Sequence, residues 1–150
     1  MDHETLYLDD IEVGDTFTTG THEVSAADIK RFAGEFDPQP FHLDDEAARE
    51  SIFGGLAASG WHTAAITMRL LVTSGPKLSH GVLGLGGEIQ WTKPMRPGDV
   101  LHVESEVVEL IPSRSRSDRG VLVLRSKTIN QHGDVVQDLT AKLLVMRRPA

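Results

Sequence analysis

Ser59-Gly60-Trp61-His62-Thr63-Ala64-Ala65-Ile66-Thr67-Met68-Arg69-Leu70-Leu71-Val72-Thr73 is the most apolar helix candidate in the chain, and what surrounds it decides the fold. Trp61, Ala64, Ala65, Met68, Leu71 and Val72 spread over more than one narrow stripe, which predicts a helix over 60–73 buried on several sides. Ser59 stands at its N-cap and Gly75-Pro76 stops it.

After Val82 the texture changes to strands, over 83–91, 100–110, 121–130 and 135–145. Pro97-Gly98-Asp99, Arg119-Gly120 and His132-Gly133-Asp134 are the turns between them. The third strand is apolar on both faces at its start and more polar later, as a strand leaving the core would be. Upstream, 17–24 reads as a strand bent at Gly20. A helix follows, started by Ser25 with Asp28 as the reciprocal carboxylate of a capping box, and Ile29, Phe32, Ala33 and Phe36 share one face. Asp37-Pro38-Gln39-Pro40 ends it, since each proline pushes the residue before it towards extended geometry. A short helix is expected over 45–51. Consecutive antiparallel strands and one very apolar helix make an α+β layer in which helix 60–73 covers the sheet. Strands do not alternate with helices, which counts against a doubly wound dinucleotide fold, and no helix follows Gly84-Leu85-Gly86-Gly87 to cradle a phosphate.

The 150 residues read as one domain, 1–150, with a formal net charge of -7 and no cysteine. Acidic balance argues against nucleic-acid or anionic-membrane binding, and no stretch is long and apolar enough to span a bilayer. The acidic opening, Met1-Asp2-His3-Glu4, lacks the character of a secretory signal, and a cytoplasmic setting is the expectation. Without cysteine there is no thiolate nucleophile or cysteine-bound metal. His80, His102 and His132 have no metal-ligand spacing, so a reaction without metal or cofactor is expected.

Asp37 and His42 form the best chemical pair. Fully extended, their Cα atoms would lie roughly 16–18 Å apart. They cooperate only if Pro38-Gln39-Pro40-Phe41 turns sharply or they meet across a subunit boundary. Converged, a carboxylate and an imidazole can hold one water and exchange protons with it, which suits adding water to an activated double bond. The plain alternative makes Asp37 an Asx-turn residue and His42 a cap for the next helix. Gly60 opens the apolar helix, where free amides favour developing negative charge such as an enolate oxygen. Ser59 beside it is an ordinary N-cap rather than a nucleophile, since no Gly-x-Ser-x-Gly elbow surrounds it. His62 could reach the same cleft or pack at an interface. Lys93, Arg96 and the cations of 114–119 could meet phosphates, or be solvated loop charges.

Phe36-Asp37-Pro38-Gln39-Pro40-Phe41-His42-Leu43-Asp44, Phe53-Gly54-Gly55-Leu56-Ala57-Ala58-Ser59-Gly60 and Pro97-Gly98-Asp99 together resemble the MaoC-like dehydratases, which include the (R)-specific enoyl-CoA hydratases. The most specific part is the hydratase motif Asp-x-Asn-Pro-x-His, matched by Asp37, Pro40 and His42. The resemblance implies a hotdog fold, a long central helix wrapped by an antiparallel sheet. It implies a homodimer or higher oligomer with acyl-thioester sites between subunits, and acyl-CoA as substrate. It also implies that Asp37 and His42 bind the water added to C3 of a trans-2-enoyl thioester, with the Gly60 amide on the thioester oxygen. Three positions depart from the pattern. Gln39 replaces asparagine, Ser59 stands where many members have histidine, and Met68 where some have a serine near the site. With His62, these are the substrate-pocket candidates. A hotdog thioesterase and a non-catalytic acyl-thioester binding subunit remain the alternatives.

Overall fold

A computed structural model describes residues 5–150; the first four residues of the acidic lead-in lie outside it. Two short strands, β1 (Thr16–Thr18) and β2 (His22–Glu23), precede the helices α1 (Ala26–Phe36), α2 (Pro40–Leu43), α3 (Asp45–Arg49) and α4 (Gly60–Ser74). Four long strands follow: β3 (Leu83–Gln90), β4 (Val100–Pro112), β5 (Arg119–Ile129) and β6 (Val135–Met146). The sheet order is β1-β4-β5-β6-β3, with β2 also on β4, and every strand pair is antiparallel. Helix α4 lies against β4 and β6. This is the hotdog fold that the family resemblance implies, a central helix wrapped by an antiparallel sheet.

The expected bent strand at 17–24 is two strands parted at Gly20, whose amide donates to Ser74 Oγ at the far end of α4 (2.9 Å). Ser25 caps α1 by accepting from the Asp28 amide, but Asp28 does not close a capping box; its carboxylate pairs with Arg31 at 3.0 Å. On α1 the buried stripe is Ile29 and Ala33, while Phe36 projects outwards at 68 % exposure. A one-turn helix that the prolines hide from pattern reading, α2, begins at Pro40, where a missing N–H costs a first-turn position nothing. Asp44, not His42, caps the next helix, accepting from the Ala47 amide.

Two apolar clusters form the core. One joins Val24 and Ile29 to Ile66, Leu70 and Leu71 of α4 and to Leu101, Val103 and Val136 of the sheet. The other closes the far end, where Leu8 and Ile11 of the lead-in pack on Val107, Leu122, Leu124, Leu143 and Val145.

Two expectations about burial are corrected. Helix α4 is not buried all round: it buries His62, Thr63, Ile66, Thr67, Leu70 and Leu71, while Trp61, Ala65, Met68 and Val72 form an outward stripe. Nor does β5 leave the core. Ser126 and Thr128 are buried because each finds a hydroxyl partner, Ser105 (2.8 Å) and Thr67 (2.5 Å). Gln137, fully buried, donates to Thr67 and accepts from the Trp91 indole, both at 3.0 Å. Polar residues sit under α4 at low cost when each group is matched in this way.

Candidate active site

Asp37 and His42 are brought together by the turn that pattern reading required. Asp37 ends α1, its amide still bonded to Ala33 O, and Gln39 is extended as a residue before proline must be. The Gln39 amide then bonds back to Asp37 O and the His42 amide to Gln39 O, so the chain doubles back within five residues. His42 Nε2 comes to 3.3 Å from Asp37 Oδ2. No second subunit is needed to make the pair.

The ring of His42 is buried, clamped between Phe41 and a backbone carbonyl. Its Nδ1 lies 2.6 Å from Ala57 O, which only accepts, so Nδ1 carries a proton. In the neutral ring Nε2 then presents a lone pair, and it presents it to a carboxylate oxygen, another acceptor. Two acceptors at this spacing need a hydrogen between them. Either the ring is an imidazolium, or a water donates one hydrogen to each.

The segment that carries Ala57 is itself fixed. Ala58 donates to Met95 O, and the Arg96 guanidinium donates to the carbonyls of Phe53 (2.5 Å), Gly55 (2.9 Å) and Leu56 (3.3 Å). Phe53 is thereby held edge-on to Phe41. Arg96 is committed to these carbonyls and Lys93 is paired with Asp134 at 3.2 Å, so the phosphate contact considered for them is not prepared in this structure. In the 114–119 loop, Arg116 and Arg119 pair with Asp118.

Asp37 is kept ionised. Burial pushes its carboxyl up, but the Ser59 hydroxyl, the Gln39 amide and the charge of His42 outweigh that and hold it below the ordinary carboxylate value. The Gln39 side chain reaches Asp37 Oδ1 at 2.5 Å, so the glutamine that replaces asparagine serves the carboxylate.

A cleft of about 380 Å³ opens onto His42 of the pair, lined also by Gln39, Phe41, Phe53, Gly60 and Trp91 among others. Gly60 begins α4, whose first amides have no intrahelical acceptor and point into this end. The indole of Trp91 lies directly on Gly60, and a Cβ there would meet Trp91 Cδ2 at 2.5 Å. Trp91 carried no signal in the sequence; a bulky residue ending a strand reads as core, and only the backbone contact with Gly60 reveals it as the cleft wall.

The remaining candidates fall elsewhere. Ser59 is wholly buried at the start of α4, and its side chain makes no cap bond. His62 does not line the cleft; it is buried and stacked on Phe32, with ring centroids 4.6 Å apart, and burial, the main cause, holds its pKa below the ordinary value. Met68 lies on the outward stripe of α4, outside the cleft. A larger hollow, about 540 Å³, sits on the outer sheet face around the Arg125–Asp138 pair, away from the dyad. Among the described residues no cluster of three histidines or acids could hold a metal.

Comparison with known proteins follows the same lines. Residues 10–128 match the family model described as the MaoC like domain. The chain belongs to the MaoC-like dehydratases. An uncharacterized Bacillus subtilis protein, YdeM, is 36% identical over 143 residues, 95% of this chain and 100% of that one. A 3-hydroxybutyryl-CoA dehydratase of Methylorubrum extorquens is 35% identical over 113 residues, covering 75% and 70% of the two chains. The crystal structure of a MaoC-like dehydratase from Rhodospirillum rubrum superposes with a TM-score of 0.95 at 63% identity, covering 97% of this chain and 99% of the other. Among the described residues no helix of this MaoC-like protein is long and apolar enough to cross a membrane.

Proposed function

We propose that this MaoC-like protein adds water reversibly to a trans-2-enoyl-CoA, giving a 3-hydroxyacyl-CoA, with Asp37 and His42 as the water-activating dyad. One observation carries the reading: the Nδ1 proton of His42 is committed to Ala57 O, and Nε2 lies 3.3 Å from Asp37 Oδ2, with His42 in the wall of the cleft. A water that donates to both exposes its oxygen lone pairs to whatever fills the apolar cleft. Phe41, Phe53 and Trp91 suit an acyl chain there.

The step balances without a redox partner. The water oxygen bonds to C3 as the C2=C3 electron pair moves into the thioester, forming an enolate. One water proton passes to the dyad, and the dyad returns a proton to C2 as the enolate collapses. The pair ends in its starting state, and the proton position within it is shared. The enolate oxygen belongs at the Gly60 amide, where the first turn of α4 offers unsatisfied N–H groups.

We infer further that the working form is a homodimer. The outward stripe of α4, Trp61, Ala65, Met68 and Val72, and the unpaired edge strand β3 with Leu83 and Leu85 exposed, meet at the Trp61–Trp91 contact. Such a surface suits burial against a second copy.

The test is crotonyl-CoA and a panel of longer, branched and dicarboxylic enoyl-CoAs, followed by loss of the enoyl absorbance and by the configuration of the product. Hydration that disappears in Asp37→Asn and His42→Ala supports the reading. Release of free thiol without hydration would make the protein a thioesterase, and acyl-CoA binding without turnover of any member would make it a binding subunit.

A further inference from the structure

Gln137 is completely buried on β6, and its amide joins two unlike neighbours, Thr67 of α4 and the indole of Trp91. Chemistry fixes the direction of each bond. The Trp91 Nε1–H only donates, so the atom facing it is Gln137 Oε1, and Nε2 is left to donate to Thr67 Oγ1. The Thr67 hydroxyl has a single proton, which goes to Thr63 O at 2.9 Å, so it accepts from both Gln137 and Thr128. The run Trp91–Gln137–Thr67–Thr128 therefore has one arrangement of hydrogens.

A core does not need such an amide, since replacing both partners of a buried hydrogen bond by apolar groups of the same shape can be nearly neutral. What the amide gains lies at its outer end. Trp91 stands just past the end of β3 in the wall of the cleft, and at 41 % exposure the core alone does not hold its ring. Gln137 takes the one polar atom of the indole, Gly60 leaves room for the ring by having no Cβ, and Trp61 meets it edge to face. A wall that cannot rotate cannot yield to bulk, so it favours a straight chain over a branched one.

Resting on the acyl-CoA reading above, we propose that Gln137 is a positioning residue: by holding the Trp91 indole it fixes the width of the cleft, and Trp91, so held, turns away branched acyl groups.

Wild type is compared with Gln137→Met, Gln137→Glu, Trp91→Phe and the double variant Gln137→Met with Trp91→Phe, with folding checked by thermal melting. Methionine is close to glutamine in volume and cannot accept the indole proton, whereas glutamate, protonated by its burial, can make both bonds. The first readout is the Trp91 indole N–H by NMR, assigned by its loss in Trp91→Phe. In Gln137→Met it moves upfield and exchanges with solvent about fivefold faster, the size of one neutral hydrogen bond, and in Gln137→Glu it stays near wild type. The second is the calorimetric Kd for butyryl-CoA and isovaleryl-CoA, which are saturated, so no turnover intervenes. Wild type prefers the straight chain; the preference falls about fivefold in Gln137→Met and in Trp91→Phe, and no further in the double variant. A glutamine that serves only the core would lower the melting temperature of Gln137→Met and leave both readouts in place, which overturns the proposal. So does a wild type without the preference, or an unchanged preference in Trp91→Phe, whose exposed site does not put folding at risk. If the wild type binds both thioesters but hydrates no enoyl-CoA, the hydration reading alone fails; if it binds neither, the acyl-CoA reading falls together with this proposal.

Discussion

Replacing Ala57 would not undo the bond that orients His42, because the acceptor is a backbone carbonyl. The dyad is therefore best tested at its own two side chains. Asp37→Asn and His42→Ala should each lower hydration at least about hundredfold, the usual range for a positioned acid or base, as read by steady-state kinetics on the accepted enoyl-CoA. The two residues were legible in the sequence as chemistry but not as geometry. Their convergence depends on a single helical turn beginning at Pro40, and a four-residue turn has too few positions to show a period. Ser59 was legible only as a cap; that its hydroxyl is wholly buried and makes no cap bond depends on the direction in which the chain enters α4, which one-dimensional spacing does not carry.

Between α1 and α4 the stacked pair Phe32–His62 makes stability depend on pH. His62 titrates below its ordinary value when folded, chiefly because burial penalises the charged ring; Asp28 opposes this, and His22 and Arg31 add to it. An unfolded chain therefore binds the proton first, so stability is lost as pH falls from about 6.5, where a free histidine charges, towards the folded value. His62→Phe, which keeps the stacking and cannot titrate, should flatten the drop in urea midpoint between about pH 7 and about pH 5. At the start of α4, Gly60→Ala places a methyl against the Trp91 indole, and overpacking of this kind costs about 1–3 kcal/mol. Its melting temperature should fall and its KM rise, since the displaced ring is the cleft wall. The elements themselves were largely legible, because the long strands keep period 2 and the turn residues punctuate them. The face of α4 was not. Its buried side holds Thr63 and Thr67, which pattern reading scores as outward; Thr67 turns inward to the Thr128 hydroxyl of β5 and the Gln137 amide of β6, and Thr63 to the sulfur of Met95.

For the molecule as a whole, the outward stripe and the bare edge of β3 make an assembly testable. Met68→Glu with Val72→Glu should halve the solution mass measured by light scattering, from twice one chain to one, and leave the fold intact, because neither side chain is in the core. Wild type running as a single chain at micromolar concentration would remove the homodimer. The α+β layer was readable from the order of elements, since one apolar helix followed by four consecutive strands has few ways to bury both, whereas the hotdog form followed from the resemblance to the MaoC-like dehydratases. The contact of Trp61 with Trp91 has a practical consequence. These are the two tryptophans of the chain, and they meet edge to face at 5.1 Å beside the cleft and the outward stripe. All of the indole emission of the protein therefore comes from one spot. A fluorescence titration with acyl-CoA, or a dilution series through the assembly equilibrium, would report on that spot with no label added.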